Sequence, residues 1–85
     1  MEQQKEAQLL TVTAAVYVTG NTLRITFSNG EERLLDFTPL MQQGICRKLQ
    51  DKNYFKSFTL DPFTIVWNNE IGFAPEYLYE QSVHL

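Results

Sequence analysis

The sequence has little of what most small enzymes and secreted domains depend on. Its 85 residues include one cysteine, Cys46, and one histidine, His84. A single cysteine allows no internal disulfide, which excludes the disulfide-stapled secreted mini-proteins. One histidine and one cysteine also cannot make a structural zinc site. We therefore expect no metal or other cofactor, and a reducing, cytoplasmic compartment.

Long apolar runs, clustered glycines and excess positive charge are lacking as well. No run approaches the ~20 residues that cross a bilayer, and residues 1–8 are polar, so we expect neither a membrane span nor a secretory leader. The four glycines are dispersed rather than gathered in a phosphate-binding loop. Seven Lys and Arg stand against ten Asp and Glu. We therefore expect no direct nucleic-acid binding by the chain alone.

Apolar residues, in contrast, are plentiful. They make up 44% of the chain, and aromatic residues make up 13%, which is enough to fold one small domain. We predict a polar, frayed segment at residues 1–8, a single domain at 9–82 and a tail at 83–85. The predicted fold class is α+β, with a small antiparallel sheet of about five strands in two hairpin units and two short helices.

The first predicted hairpin joins strands 10–18 and 22–28. Both strands alternate apolar and polar residues, and Gly20-Asn21 between them fits a two-residue turn. That register sets Val16 opposite Ile25 on the apolar face. Tyr17 then lies opposite Arg24 on the polar face, where we expect a surface pair able to serve an interface.

A second turn, Asn29-Gly30, leads into a strand at 31–37 whose register the pattern leaves open. A two-residue turn sets Leu34 opposite Ile25 and places Leu35 and Phe37 on the opposite face. A three-residue turn with a bulge reverses this assignment. In either register the strand carries apolar side chains on both faces, so we expect a helix or a partner to cover each.

The rest of the chain alternates between helical and strand patterns. Thr38-Pro39 is predicted to cap a short helical turn, followed by a helix near residues 45–50. Strands are predicted at 55–60 and 63–68, and Pro75 is predicted to start a last helical turn. The second hairpin would present one aromatic-rich face, formed by Phe58, Leu60, Phe63, Ile65 and Trp67.

No set of residues predicts a catalytic centre. Cys46 is interpreted as a buried structural thiol, with a thiol whose pKa is lowered by nearby basic residues as the alternative. His84 lies beside the end of the chain, where it is poorly placed to serve Cys46. Asp36 is interpreted as a partner of backbone N–H groups at a helix start, and Asp61 as a turn former. Trp67 is favoured as a core residue.

The order of these features resembles a family of small bacterial domains, domain of unknown function 2442. The resemblance rests on Asp36-Phe37-Thr38-Pro39-Leu40, on Ile65-Val66-Trp67 and on two further stretches, at 23–30 and 74–79. One departure is Asn69-Glu70-Ile71-Gly72, where the family usually has glycine and an acidic residue after the tryptophan. The resemblance implies an α+β domain without assigned activity. In some relatives the resembling domain is attached to a helix-turn-helix DNA-binding domain, for which we expect no room here. In other relatives the domain is encoded beside a small partner protein, in an arrangement similar to toxin–antitoxin pairs.

These observations predict a non-enzymatic protein-interaction module, regulatory or antitoxin-like, that binds itself or a neighbouring gene product. The residues predicted for the interaction surface are Tyr17, Arg24, Leu35, Phe37 and Trp67. One alternative is a small-ligand sensor with an aromatic pocket around Phe58, Phe63 and Trp67. A further alternative is a thiol-dependent enzyme that uses Cys46.

Overall fold

A computed structural model describes residues 9–84 of the chain. The predicted segment 1–8 and the final residue of the predicted tail lie outside this part. The elements run in the order β1 (Val12–Thr19), β2 (Thr22–Phe27), β3 (Glu32–Asp36), a first 3₁₀ helix (Thr38–Met41), a second 3₁₀ helix (Gly44–Gln50), α1 (Lys52–Lys56), β4 (Thr59–Leu60), β5 (Ile65–Trp67), β6 (Ile71–Gly72), α2 (Pro75–Gln81) and β7 (Val83–His84). This confirms the α+β class, with more and shorter strands than expected.

The strands form two antiparallel sheets. The larger sheet has the order β1-β2-β3-β7, and the smaller has the order β4-β5-β6. Strands β1 and β7 are therefore the edges of the larger sheet, and β4 and β6 are the edges of the smaller. The helices and the smaller sheet pack with the inner face of the larger sheet, because Leu23, Ile25 and Leu35 belong to the same buried cluster as Met41, Leu49 and Trp67.

The first hairpin has the predicted turn but not the predicted register. Thr19 pairs with Thr22 across a two-residue turn in which Gly20 has a φ of +54°. A bulge at Val18 then shifts the strand by one residue, so that Ala15, not Val16, lies opposite Ile25. Because side chains alternate between faces, this shift turns Val16 outward.

The second hairpin has the three-residue turn, and this settles the register of β3. The Phe27 amide donates to the Glu31 carbonyl (2.9 Å), which leaves three residues in the turn. Gly30 ends the turn with a φ of +90°, a conformation that glycine adopts without steric cost. Leu35 then pairs with Leu23 on the inner face, and Leu34 pairs with Arg24 on the outer face.

Two predictions about the middle of the chain are wrong. Thr38 is the first residue of the first 3₁₀ helix rather than its cap, and Phe37 precedes it. Residues 55–56 belong to α1 rather than to a strand, because the Asp51 side chain accepts a hydrogen bond from the Asn53 amide and starts a helix there. The strand prediction survives only at Thr59–Leu60.

The core is a cluster of aromatic rings between the two sheets. The Trp67 indole is fully buried, and its Nε1–H donates to the Phe55 carbonyl (2.8 Å). The rings of Phe37, Phe55 and Phe73 surround it, with centroids 5.6–6.0 Å away. The preference for Trp67 as a core residue is therefore confirmed. The single aromatic face predicted for the second hairpin is wrong, because Leu60 and Phe63 are exposed.

Candidate interaction surface

The outer face of the larger sheet carries a row of three apolar residues and one arginine that crosses all four strands. Val16, Arg24, Leu34 and Val83 lie directly opposite one another in β1, β2, β3 and β7. Val16 is 52% exposed and Val83 is 61% exposed, while Leu34 is half-buried. These residues alternate with the buried ones of the inner face, so the row points away from the core. Among residues 9–84, no helix or strand covers it.

The charged residues on the outer face of β2 and β3 are Arg24, Glu32 and Asp36. Arg24 lies in the middle of the row, and its Nη1 is 4.0 Å from the Glu32 Oε1, with both side chains about half exposed. An exposed ion pair this long contributes little to stability. The Arg24 guanidinium therefore retains most of its hydrogen-bonding capacity for another molecule.

The β1 edge is the longest edge in the described part of the chain. It has eight residues, whereas β4, β6 and β7 have two each. Residues 7–23 contain no charged side chain. Among the described residues, nothing outside β2 hydrogen-bonds to the backbone of residues 13–19. In an antiparallel ladder, alternate residues of an edge strand direct N–H and C=O groups outward, so these groups are open to another strand.

Contacts at both ends and on the inner side hold β1 in place. At its start, the Val12 amide donates to the Phe63 carbonyl (2.9 Å). At its end, the Lys52 Nζ donates to the Gly20 carbonyl (3.0 Å). The Tyr17 ring packs edge-on against Phe55 and lies under the Lys56 Nζ at 4.7 Å. The edge is therefore a well-supported strand and not a loose terminus.

The residues predicted for the interaction surface do not come together. Tyr17 lies on the inner face, while Arg24 lies on the outer face, because the bulge at Val18 separates the predicted pair. Leu35, Phe37 and Trp67 are buried in the core. Of the five, only Arg24 lies on the open outer face.

The sequence did not predict that the valines of β1 and β7 are exposed. Strict alternation placed Val16 and Val18 in the core, and no pattern predicted β7 at all. One signal was available in the uncharged stretch at 7–23, which is unusual in a chain with 20% charged residues.

A separate polar cluster joins α1 to the β5–β6 turn. The Tyr54 hydroxyl donates to the Glu70 Oε2 (2.6 Å), and the Lys48 Nζ donates to the same carboxylate (3.0 Å). Desolvation, followed by the hydrogen bond to Glu70, raises the pKa of Tyr54 to about 12. The hydrogen bonds from Tyr54 and Lys48 lower the pKa of Glu70. This carboxylate is occupied by donors and is poorly suited to act as a general base.

The same cluster contacts the β5–β6 turn, in which two asparagines have positive φ. Asn68 and Asn69 have φ values of 53° and 57°, a left-handed conformation in which asparagine is enriched among non-glycine residues. The Asn68 Nδ2 lies 3.4 Å from the Glu70 Oε2. The local structure of the β5–β6 turn therefore accounts for Asn68, Asn69 and Glu70 without a functional role.

The two residues considered for catalysis, His84 and Cys46, lie in separate parts of the structure. His84 Nε2 is 3.0 Å from the Glu31 Oε1, and Glu31 also accepts from the Tyr79 hydroxyl (2.7 Å). The hydrogen bond from Tyr79 lowers the pKa of Glu31, as do the hydrogen bond from Arg33 and the electrostatic interaction with His84. Cys46 instead lines a shallow groove of about 420 Å³ beside Phe73 and Tyr77. No hydrogen bond joins Cys46 to His84 in the described structure.

The two candidate aspartates have the roles that the sequence indicated. The Asp36 Oδ1 accepts from the Thr38 hydroxyl (2.7 Å) and amide (2.9 Å), and these bonds lower the pKa of Asp36. The Asp61 Oδ1 accepts from the amides of Phe63 and Thr64, both at 2.7 Å. Asp36 therefore secures a helix start, and Asp61 forms a turn. Within residues 9–84, no three His, Cys, Asp or Glu side chains gather where a metal ion would fit.

Comparisons with known proteins identify a family and nothing more specific. A family model described as "Protein of unknown function (DUF2442)" matches residues 12–84. No curated protein and no solved structure matches the chain. In the part of the chain that the structure describes, no helix is long and apolar enough to cross a membrane.

Proposed function

The chain belongs to the DUF2442 family of proteins of unknown function, and from this premise we propose that it is a non-enzymatic protein-interaction module of the cytoplasm. Its β1 edge accepts an extended strand of another polypeptide, which continues the larger sheet. The observation that carries this proposal is the eight-residue, uncharged edge, in which the backbone of residues 13–19 has no hydrogen-bond partner outside β2 among the described residues. Strand addition to an open sheet edge is a common mode of peptide recognition.

Side chains on the outer face beside β1 can provide specificity for the added strand. Backbone hydrogen bonds supply affinity in this mode, and side chains on alternate residues supply specificity. Val16 and Val18, 52% and 48% exposed, offer apolar contacts. Arg24, one strand further in, offers a charged group of the kind enriched at protein interfaces.

The placement of the reactive groups supports a non-enzymatic role. Cys46 lies in a groove beside aromatic rings, and His84 lies in a cluster with Glu31. A nucleophile and its base need to be within hydrogen-bond reach of each other. Asp36 and Glu70 are already held by donors on neighbouring elements.

Co-expression with the product of the neighbouring gene tests this proposal. Light scattering after gel filtration is expected to give a mass above the 9.9 kDa of one chain. Val16→Lys, which places a charge on the β1 edge, is expected to remove that assembly. Val83→Lys is the matched control, because it makes the same change on the same face at the opposite edge. A wild-type chain that stays monomeric with and without the neighbour, or an assembly that survives Val16→Lys, would contradict the proposal.

Ligand binding is a second candidate, favoured by the groove at Cys46. Phe73 and Tyr77 stack with an interplanar angle of 19°, and Leu40 and Pro39 complete an apolar wall. The predicted pocket around Phe58, Phe63 and Trp67 does not form, because Trp67 is buried while Phe63 is exposed. Phe73 touches Trp67, at 6.0 Å between centroids, so a ligand in the groove is expected to shift tryptophan emission. No shift in emission or melting temperature across a metabolite panel would remove this candidate.

A further inference from the structure

We infer that the strand that pairs with β1 is β1 of a second copy of this chain, with a two-fold axis at Val16. The two larger sheets then join into one continuous eight-stranded antiparallel sheet. This inference rests on the proposed function, because it names the partner of the same edge.

The first support is the contrast between β1 and the other sheet edges. Natural proteins protect sheet edges by keeping them short or by placing charges and proline on them. The edges at β4, β6 and β7 are two residues long. Strand β1 has eight residues and neither charge nor proline. An edge left this open is expected to be covered in the functional state.

The second support is electrostatic. The chain carries a net charge of -3, so two copies repel each other wherever their acidic surfaces meet. Residues 9–23 carry no charged side chain, so a second copy can approach there without acidic side chains facing each other across the contact. The charged groups beside β1 are basic: the Lys52 Nζ at the Gly20 carbonyl and the Lys56 Nζ over the Tyr17 ring. Glu32 and Asp36, on the outer face of β3, are two strands away from this edge.

The third support is the self-complementarity of the β1 sequence in an antiparallel pair. With Val16 on the two-fold axis, Val16 lies opposite Val16 of the second copy. Ala14 then lies opposite Val18, and Ala15 lies opposite Tyr17, so a small side chain meets a large one on each face. Thr13 lies opposite Thr19, and threonine pairs are favourable across strands.

The bulges at Thr13 and Val18 limit this pairing but do not prevent it. Bulges bend an edge and are one of the devices that protect it. Here they flank Ala14–Tyr17, whose four residues pair regularly with β2. The centre of the strand, where the two-fold axis lies, is therefore the regular part.

The size of the contact predicts a weak, reversible dimer. The stretch from Thr13 to Thr19 spans about 23 Å, and its regular part is Ala14–Tyr17. Strand pairing alone therefore buries less than the roughly 800 Å² per partner of a typical stable interface. Phe63, 55% exposed, lies beside the start of β1. There it would meet the Gly20–Asn21 turn of the second copy and add apolar area. We expect a dissociation constant on the order of micromolar.

Sedimentation velocity of the full chain over a concentration series tests the inference. The mass is expected to rise toward twice the 9.9 kDa of one chain. Val16→Lys is expected to weaken self-association at least tenfold, and Val83→Lys is expected to leave it within twofold. Circular dichroism checks that both variants fold. A wild type that stays monomeric to millimolar concentration overturns the inference, as does an equal effect of both variants, which would indicate packing of the outer faces.

A cross-link tests the register directly. Facing residues in an antiparallel pair have Cα atoms about 4.5–5.5 Å apart, which a disulfide can bridge. In a Cys46→Ser background, Val16→Cys is expected to form a covalent dimer with oxidised glutathione at least tenfold faster than Val83→Cys. Equal rates would contradict the two-fold axis at Val16.

The co-expression experiment separates this inference from the proposed function. If the wild type is monomeric but binds the neighbouring gene product in a manner that Val16→Lys abolishes, the edge is functional and the second copy is the wrong partner. If Val16→Lys changes neither self-association nor partner binding, both proposals fail.

Discussion

Replacing Trp67 with phenylalanine tests the central claim about the core. The Trp67 Nε1–H donates to the Phe55 carbonyl at 2.8 Å, in a fully buried position. Phe55 lies in the last turn of α1, where carbonyl groups have no partner within the helix. The indole therefore fills the core and also satisfies a helix end.

The expected loss of stability has two parts. Phenylalanine buries on the order of 50 Å² less apolar surface, which at roughly 25 cal/mol per Å² is about 1 kcal/mol. An unsatisfied buried carbonyl costs about 1–3 kcal/mol. The sum of about 2–4 kcal/mol is a large share of the roughly 4–13 kcal/mol that stabilises a domain of this size. The melting temperature is expected to fall by roughly 10–30 °C.

Urea and thermal unfolding followed by circular dichroism measure this loss. Phe37→Leu is the matched control, because Phe37 is equally buried beside Trp67 but has no polar side-chain atom. We expect the control to cost about 1 kcal/mol. If Trp67→Phe costs no more than Phe37→Leu, the hydrogen bond to Phe55 contributes nothing and the reasoning is refuted.

Three further predictions concern titration and reactivity. In a spectrophotometric titration, Tyr54 is expected to ionise near pH 12 and at lower pH in Glu70→Gln; an unchanged titration would contradict the contact. Hydrogen bonds from Thr38 lower the pKa of Asp36, so their stabilisation is present above the unfolded pKa and is lost as pH falls through the folded one. Thr38→Ala is therefore expected to flatten the decline in unfolding free energy below about pH 4, and an unchanged decline would contradict this. Cys46, half-buried, is expected to react with iodoacetamide more slowly in the folded than in the urea-unfolded chain, and equal rates would favour a reactive thiol.

Features set by neighbouring residues were predictable from the sequence. The Gly20-Asn21 turn, the helix that starts at Pro75 and the roles of Asp36 and Asp61 follow from backbone preferences and short-range hydrogen bonds. The burial of Trp67 followed from its size and apolar neighbours. The turn, the helix start and the roles of the two aspartates depend on interactions within a few residues, which the order of amino acids specifies directly.

Features that depend on one displaced residue were not predictable. The bulge at Val18 has no signature in the alternating pattern, yet it moves Val16 from the core to the surface and separates Tyr17 from Arg24. The helix at α1 overrode an apparent strand pattern because Asp51 caps it and Phe55 packs against Trp67. The candidate site was missed because the alternating pattern assigned Val16 and Val18 to the core and predicted no strand at Val83.

The sequence by itself determined the class of the domain, the Gly20-Asn21 turn, the burial of Trp67 and the uncharged stretch at 7–23. The tertiary structure decided which strand has an open edge and which valines face outward. Pairing between distant strands sets these properties, and a shift of one residue in that pairing exchanges the two faces of a strand. The same Val16 that local alternation assigns to the core therefore lies, in the folded chain, at the surface where we propose that a partner binds.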